Sequence, residues 1–185
     1  MIDDFVSDAT RRMDKSVESA AHEFNTVRTG RASAALLDRI QVDYYGTPTP
    51  LQQLATINVP EPRMLTIQPY DPGSIKAIER AILESDLGLT PSNDGKMVRL
   101  PIPQLTEERR KDLVKIVRQI AEDGKVAIRN VRRDADKHLK ELKTKGDVGE
   151  DDERRAEERV QKLTDEHTHK IDDLLKRKEA EITEV

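Results

Sequence analysis

The residues best suited to chemistry in this chain are cations that recur along one segment. Residues 106–145 carry thirteen basic and eight acidic side chains, a net charge of +5 in a chain whose total is −4. At about 100° per residue, most of these cations fall on one flank of a predicted helix. They are Lys111, Lys115, Arg118, Lys125, Arg129, Arg132, Arg133, Lys140 and Lys143. A row of Lys and Arg can neutralise successive phosphates and release their counterions, so this flank predicts RNA binding.

Arg129, Arg132 and Arg133 form the densest part of this flank. Arginine suits RNA because its planar guanidinium makes bidentate phosphate contacts and stacks on bases. Lys125 and Arg118 extend the same flank toward the start of the helix. The alternative is a solvated helix face whose cations form salt bridges with an acidic C-terminal helix. Residue types and spacing leave both interpretations open.

A second pair of cations, Arg28 and Arg31, flanks Gly30. Arg28 is a further candidate for RNA binding, although a cation there could equally complement the dipole at the end of a helix. Gly30 lies just past the last apolar position of that helix, where we expect a left-handed C-terminal cap.

The sequence offers little support for other chemistries. The chain has no Cys, which excludes disulfides and thiolate metal sites. Its four histidines are not spaced like metal ligands, and neither a phosphate-binding loop nor a nucleophile elbow occurs. We therefore expect no catalytic residue, metal or cofactor, and we interpret the chain as a protein that is not an enzyme.

The placement of proline divides the chain into helical ends and a mixed middle. All nine prolines lie between Pro48 and Pro103, and proline breaks helix interiors. Apolar residues recur at three- and four-residue steps over 5–27, 113–142 and 156–182, which predicts three amphipathic helices. Such helices must bury their stripes against one another, so we expect a three-helix bundle.

The middle of the chain has the alternating pattern of short strands. Strand candidates are residues 40–45, 54–59, 64–67 and 97–102, with residues 60–62 separating the second from the third, a helix at 74–83 and turns at 46–48 and 93–95. The predicted fold class is therefore α+β. A long three-helix bundle comprises residues 1–30 and 106–185, and a small domain of residues 31–105 is inserted into it.

The inserted domain joins the bundle through two short chain crossings. Two short neighbouring connections make a natural hinge, and we predict one here from this topology. The candidate hinge residues are Gly30, Arg31, Gln104 and Leu105.

Several longer motifs identify a family. They are VRTGRAS at residues 27–33, VDYYGT at 42–47, SDLGL at 85–89, NDG at 93–95, LTEERRK at 105–111, IRNVRRDA at 128–135 and GEDDE at 149–153. On these motifs the chain closely resembles the ribosome recycling factors over essentially its whole length.

This resemblance implies an L-shaped protein in which a β/α/β domain is carried on a two-stranded hinge. It implies that the bundle binds rRNA of the large ribosomal subunit, with Arg129 and Arg132 in the contact surface. It also implies a partner GTPase, elongation factor G, whose GTP hydrolysis drives subunit separation while the factor itself hydrolyses nothing. We expect a cytoplasmic monomer that binds neither DNA nor membranes.

Two other classes of protein remain as alternatives. A coiled-coil chaperone cofactor would grip a protein partner with its long helices and would show no salt-sensitive RNA binding. An enzyme with its active site in the small domain would have a ligand pocket there with perturbed titratable groups.

Overall fold

The computed structural model describes residues 1–184, which fall into two compact units. The first unit joins Met1–Thr29 to the chain from Glu107 onward, and the second is Gly30–Thr106. The helices are α1 (Ile2–Thr26), α2 (Leu51–Leu54), α3 (Ile75–Glu84), α4 (Glu107–Thr144) and α5 (Glu150–Thr183). The strands are β1 (Gln41–Tyr44), β2 (Thr47–Pro50), β3 (Ala55–Glu61), β4 (Met64–Pro69), β5 (Ser92–Asn93) and β6 (Val98–Pro101).

The first unit is a bundle of α1, α4 and α5, in which each helix buries one apolar stripe. Met13 and Phe24 of α1, Ile128 and Leu139 of α4, and Ile171 of α5 are all buried. The three predicted helices are confirmed. Most of the stability of such helices comes from covering their stripes, because an isolated helix is marginal in water.

His167 lies in the bundle core, where the apolar stripe of α5 places it. Its Nδ1 is 2.7 Å from the carbonyl oxygen of Leu163, one turn earlier on the same helix. Its Nε2 is 2.6 Å from Oδ1 of Asp14 on α1. Both ring nitrogens therefore have an oxygen partner, and the buried imidazole links α5 to α1.

Gly124 lies where the three helices pack closely together. A Cβ atom at this position would lie 2.8 Å from Ile171 Cδ1 on α5 and 3.2 Å from Ala20 Cβ on α1. Glycine is a poor residue for a helix interior, where it costs about 1 kcal/mol relative to alanine. The close packing explains why α4 nevertheless carries glycine here.

A short glycine-containing turn joins α4 to α5. Gly146 adopts φ 80°, and its N–H donates to the carbonyl oxygen of Lys143. The N–H of Asp147 donates to the carbonyl oxygen of Leu142. These two bonds form a Schellman motif, which ends α4 and lets the chain reverse direction within a few residues.

The second unit contains two antiparallel sheets and one main helix. Strands β1 and β2 pair with each other, and the other sheet has the order β3-β4-β6-β5. One core joins Val42 of the first sheet, Ile67 and Leu100 of the second, and Ile78 and Ile82 of α3. This is the predicted small domain, with the β/α/β composition that the family resemblance implies.

The first hairpin departs from the predicted turn at residues 46–48. The turn consists of Tyr45 and Gly46, whose φ angles are 50° and 85°, and β2 begins at Thr47. Two-residue hairpin turns need left-handed backbone at both positions, because that twist matches the flanking strands. The two prolines of β2 are tolerated because a two-stranded sheet leaves one edge of this strand unpaired.

The second sheet also differs from its predicted bounds. Strand β3 begins at Ala55 and runs through Pro60 to Glu61, although we predicted a strand over 54–59 with residues 60–62 separating it from the next. Pro60 is tolerated because β3 is an edge strand. The two-residue strand β5 was not predicted, since it is too short to show alternation.

Gly30 does not cap α1, contrary to expectation. The helix ends at Thr26, and its C-cap, Val27, is extended with φ −82°. Gly30 does adopt a left-handed conformation, with φ 75°, but it lies three residues beyond that cap. The conformation therefore belongs to the connection between the units rather than to the helix end.

We expect Gly124→Ala to lower the melting temperature despite the higher helix propensity of alanine, because overpacking costs about 1–3 kcal/mol. Ile171→Val removes the Cδ1 atom that would clash and should by itself cost about 0.5–1.5 kcal/mol. The double variant should be at least as stable as Ile171→Val alone. Thermal unfolding of all four proteins measures this coupling, and simple addition of the two costs would contradict the close contact.

Candidate nucleic-acid interface

The basic flank of α4 splits into two rows in the structure. The first, which we call the seam row, faces α5 and consists of Arg118, Lys125, Arg132 and Lys143. Their contacts on α5 are Arg118 Nε to Glu179 Oε1 at 2.8 Å, Lys125 Nζ to Asp172 Oδ1 at 2.6 Å, an Arg132 guanidinium nitrogen to Gln161 Oε1 at 3.4 Å, and Lys143 Nζ to Glu153 Oε2 at 3.1 Å.

The side chain of Lys125 is more deeply buried in the bundle than that of Arg118. Its side chain is only 20% exposed, and its ammonium pairs with Asp172. Arg118 is more open, with 66% of its side chain exposed, although it pairs with Glu179. For these two residues, the structure contains the salt bridges with α5 that the alternative interpretation of the basic flank predicts.

The second row, which we call the outer row, makes none of these contacts with α5 and contains Lys115, Arg129 and Arg133. Lys140 instead lies close to Glu157 of α5, and its charge opposes the rise in pKa that burial causes in that carboxyl. Arg129 contacts Glu122 of its own helix at 3.3 Å and keeps 40% of its side chain exposed. Arg133 is exposed and has no ion pair within residues 1–184. The outer row therefore presents cations to solvent at helical spacing, as phosphate binding requires.

Arg132 differs from the rest of the seam row in having a neutral partner, Gln161. Burial raises the pKa of the nearby Asp136, and the Arg132 guanidinium opposes that rise. Glu157 on α5 also has a raised pKa, first because of burial and then because of the charges of Glu153 and Asp136. Arg132 therefore counteracts the effect of burial on Asp136, besides being a candidate for RNA contact.

Arg28 is exposed and lies outside α1. The helix ends at Thr26 and has no basic residue in its last turn. Charge–dipole effects fade beyond the terminal turn, so the dipole interpretation of Arg28 has little geometric support. Arg28 remains a candidate for RNA contact, separate in sequence from the outer row.

The candidate hinge residues lie where two chain segments enter the second unit. The N–H of Ala32 donates to the carbonyl oxygen of Pro62 at 2.7 Å, and the N–H of Ile102 donates to that of Arg63 at 2.8 Å. Both segments are thus attached to adjacent residues of one turn. Arg31 and Gln104, which lie just outside these bonds, are exposed.

Gly30 and Leu105 are in close contact across these segments. A Cβ atom at Gly30 would lie 2.9 Å from Leu105 Cγ, and the φ of 75° is itself unfavourable for other residues. Gly30 is therefore constrained both by its backbone conformation and by the neighbouring side chain.

Comparison with known proteins decides the family. The model of the ribosome recycling factor family matches residues 20–183. A ribosome-recycling factor from Rubrobacter xylanophilus is 57% identical over 97% of both chains. One from Listeria welshimeri is 56% identical over the full length of both. The chain belongs to the ribosome recycling factor family.

Solved structures of ribosome recycling factors share the fold as well as the sequence. A solution structure of one is 43% identical, with a TM-score of 0.75 over all of this chain and 98% of the other. The T. thermophilus ribosome recycling factor, in models with E. coli elongation factor G bound to the E. coli post-termination complex, is 49% identical. Its TM-score is 0.64 over 98% of both chains.

The structure also bears on metal binding and on membrane insertion. No group of three His, Cys, Asp or Glu side chains within residues 1–184 is arranged to hold a metal ion. In the same part of the chain, no helix is both long and apolar enough to cross a bilayer.

Sequence reasoning missed one exposed cluster in the second unit. Tyr44 and Tyr45 both donate from their hydroxyls to Asp71 Oδ2 at 3.1 Å, and the Tyr45 ring is among the most exposed large side chains. In the sequence, this cluster could have been suspected from the pair of aromatic residues immediately before the glycine of a hairpin turn. Asp71 could not have been found that way, because it lies 26 residues away in sequence.

We expect Lys125→Ala to lower the free energy of unfolding by about 1 kcal/mol, since it removes a half-buried ion pair and the packing of the lysine stem. Lys115→Ala should change it by less than about 0.5 kcal/mol, because that side chain is exposed and has no ion pair with residues 1–184. Urea unfolding of both variants measures the difference. Equal losses would mean that the two rows are not distinct.

Proposed function

We propose that this protein acts on the ribosome after termination and, with elongation factor G and GTP, promotes separation of the subunits for a new round of protein synthesis. The observation that carries this proposal is the likeness to ribosome recycling factors, which extends over both units of the chain. The T. thermophilus factor occurs beside elongation factor G on a post-termination complex, and at 49% identity we expect the same partners here.

We propose further that the outer row anchors the bundle on rRNA of the large subunit. Arg129 and Arg133 are its central members, with Arg132 of the seam row and Arg28 as separate contacts. Lys125 and Arg118 contribute less to binding than their sequence positions suggest, because their charges are already compensated by α5. Phosphate contacts of this kind give affinity and register rather than sequence readout.

In this proposal the protein catalyses no reaction. Its free-energy source is GTP hydrolysis by elongation factor G, so the chain needs only a binding surface and a junction that can take two positions. It requires neither a metal nor a cofactor, and it acts as a monomer in the cytoplasm.

The proposed hinge comprises Gly30 and Arg31 on one segment and Gln104 and Leu105 on the other. The hydrogen bonds of Ala32 and Ile102 to one turn mark where each segment becomes part of the second unit. A push by the GTPase on the second unit would therefore be taken up in the few residues before those bonds.

We expect Arg133→Ala and Arg129→Ala to weaken large-subunit binding by about 1–3 kcal/mol each, because each removes charged hydrogen bonds to phosphate. Each should also reduce the slope of log affinity against log salt by about one. Lys125→Ala should bind nearly as well as wild type, even though we expect this substitution to lower the free energy of unfolding. Pelleting with large subunits over a salt series measures all three.

The control for this experiment is Glu166→Ala, an exposed carboxylate on α5. Glu179 would be unsuitable, because its carboxylate pairs with Arg118. If Arg133→Ala pellets like wild type at every salt concentration, the outer row is only a solvated surface and the proposed anchor is wrong.

We expect Gly30→Ala to impair subunit splitting while leaving large-subunit binding intact. The matched control is Gly95→Ala, because Gly95 has φ 90° but nothing within 4 Å of its added Cβ. Both variants should lose about 1–2 kcal/mol of stability through backbone strain. Splitting assays with elongation factor G should separate them, and the added change Leu105→Ala should restore activity to Gly30→Ala. Equal activity of the two glycine variants would remove Gly30 from the hinge.

A further inference from the structure

The hairpin turn between β1 and β2 carries an unexpected residue. Two-residue turns of this kind favour Asn-Gly or Asp-Gly, because short polar side chains tolerate left-handed backbone. Here the first position is Tyr45, with φ 50°, the one residue other than glycine with a positive φ in residues 1–184. A bulky residue held in this conformation is strained, and such strain persists only where the surroundings impose it.

The surroundings of Tyr45 orient its ring without burying it. The hydroxyl donates to Asp71 Oδ2 at 3.1 Å, and the Tyr44 ring lies edge-on with its centroid 4.6 Å away. Asp71 is in turn held by the N–H of Gly73, which donates to Oδ1 at 2.9 Å. Yet Tyr45 is 80% exposed, so these contacts fix the direction of the ring and leave most of its surface open.

The charge around the ring is negative. The N–H of Gly73 holds the pKa of Asp71 below its ordinary value, and the two tyrosine hydroxyls add to this effect. Asp43, on the same hairpin, accepts from the N–H of Gly46 at 2.9 Å. The hydrogen bond to Glu84, and to a lesser extent the charge of Asp43, raises the pKa of the nearby Arg80. An exposed aromatic face beside two carboxylates attracts a cation and repels phosphate.

We propose that Tyr45, backed by Tyr44 and Asp71, is a docking site for an arginine or lysine on a basic segment of a protein partner. The cation would lie over the ring face and within reach of the carboxylates, and RNA would be disfavoured because its phosphates carry the wrong charge. This surface is distinct from the outer row of α4, which carries the opposite charge. The inference deepens the proposed function and rests on it for the assembly in which the partner is met.

The first test uses Tyr45→Asn, which restores the preferred Asn-Gly turn and removes the ring. We expect a melting temperature equal to or above that of wild type, with subunit splitting slowed about threefold to tenfold, as loss of a cation–π contact predicts. Tyr45→Phe keeps the ring and should retain most of the splitting activity. Tyr70→Ser removes another exposed tyrosine of the same unit and should split subunits like wild type.

The second test places a photo-crosslinker, Tyr45→p-benzoylphenylalanine, in the full chain bound to post-termination ribosomes with elongation factor G. We expect a crosslink to a protein, mapped by mass spectrometry to a peptide containing arginine or lysine. A crosslink confined to rRNA, or none at all, would overturn the inference.

The two tests separate this inference from the recycling function itself. If wild type splits subunits and Tyr45→Asn does so equally well, the docking site is wrong and recycling stands. If wild type fails to split subunits, the recycling proposal fails, and the crosslink on the assembled complex decides the inference by itself.

Discussion

The register of α4 against α5 is the constraint on which the rest of the bundle depends. It is set where Gly124 allows Ile171 to approach the backbone of α4, and the short turn at Gly146 keeps the two helices antiparallel from that point. Arg118 and Lys125 are seven residues apart, and so are their partners Glu179 and Asp172. A shift of one residue would rotate the helices by about 100° and break these pairs together.

This register decides which cations of α4 stay clear of the carboxylates of α5 and so remain candidates for RNA contact. Every cation on the basic flank contributes equally to the net charge of the segment. The cations that face α5, however, are largely neutralised by nearby carboxylates of that helix. Arg129 and Arg133 lie farther around the circumference of α4 from α5 and escape this compensation, apart from the contact of Arg129 with Glu122. A protein with net charge −4 can therefore present a cationic stripe, because its acidic and basic groups are sorted by helix face.

The sequence predicted the parts of this molecule that depend on local pattern. The three helices followed from apolar periodicity, and the strands from alternation between prolines and turns. It did not reveal which cations α5 would neutralise, because that depends on a register fixed by tertiary contacts. Gly30 shows the same limit: its left-handed conformation was predicted, but its place in the connection depends on Leu105 rather than on α1. Tyr45 was missed because its partner Asp71 is distant in sequence.

The second unit has the properties that the proposed mechanism demands of a moving part. Its single core joins both sheets to α3, so it resists deformation, and an applied force would displace it as a whole. Its two connections are held at adjacent residues, Pro62 and Arg63, so they would move together rather than shear apart. In the proposed docking, the oriented ring of Tyr45 would give this unit a fixed contact point, whereas a flexible side chain would transmit less of the applied force. Rigidity between that point and the two connections would allow the proposed hinge to consist of only a few residues.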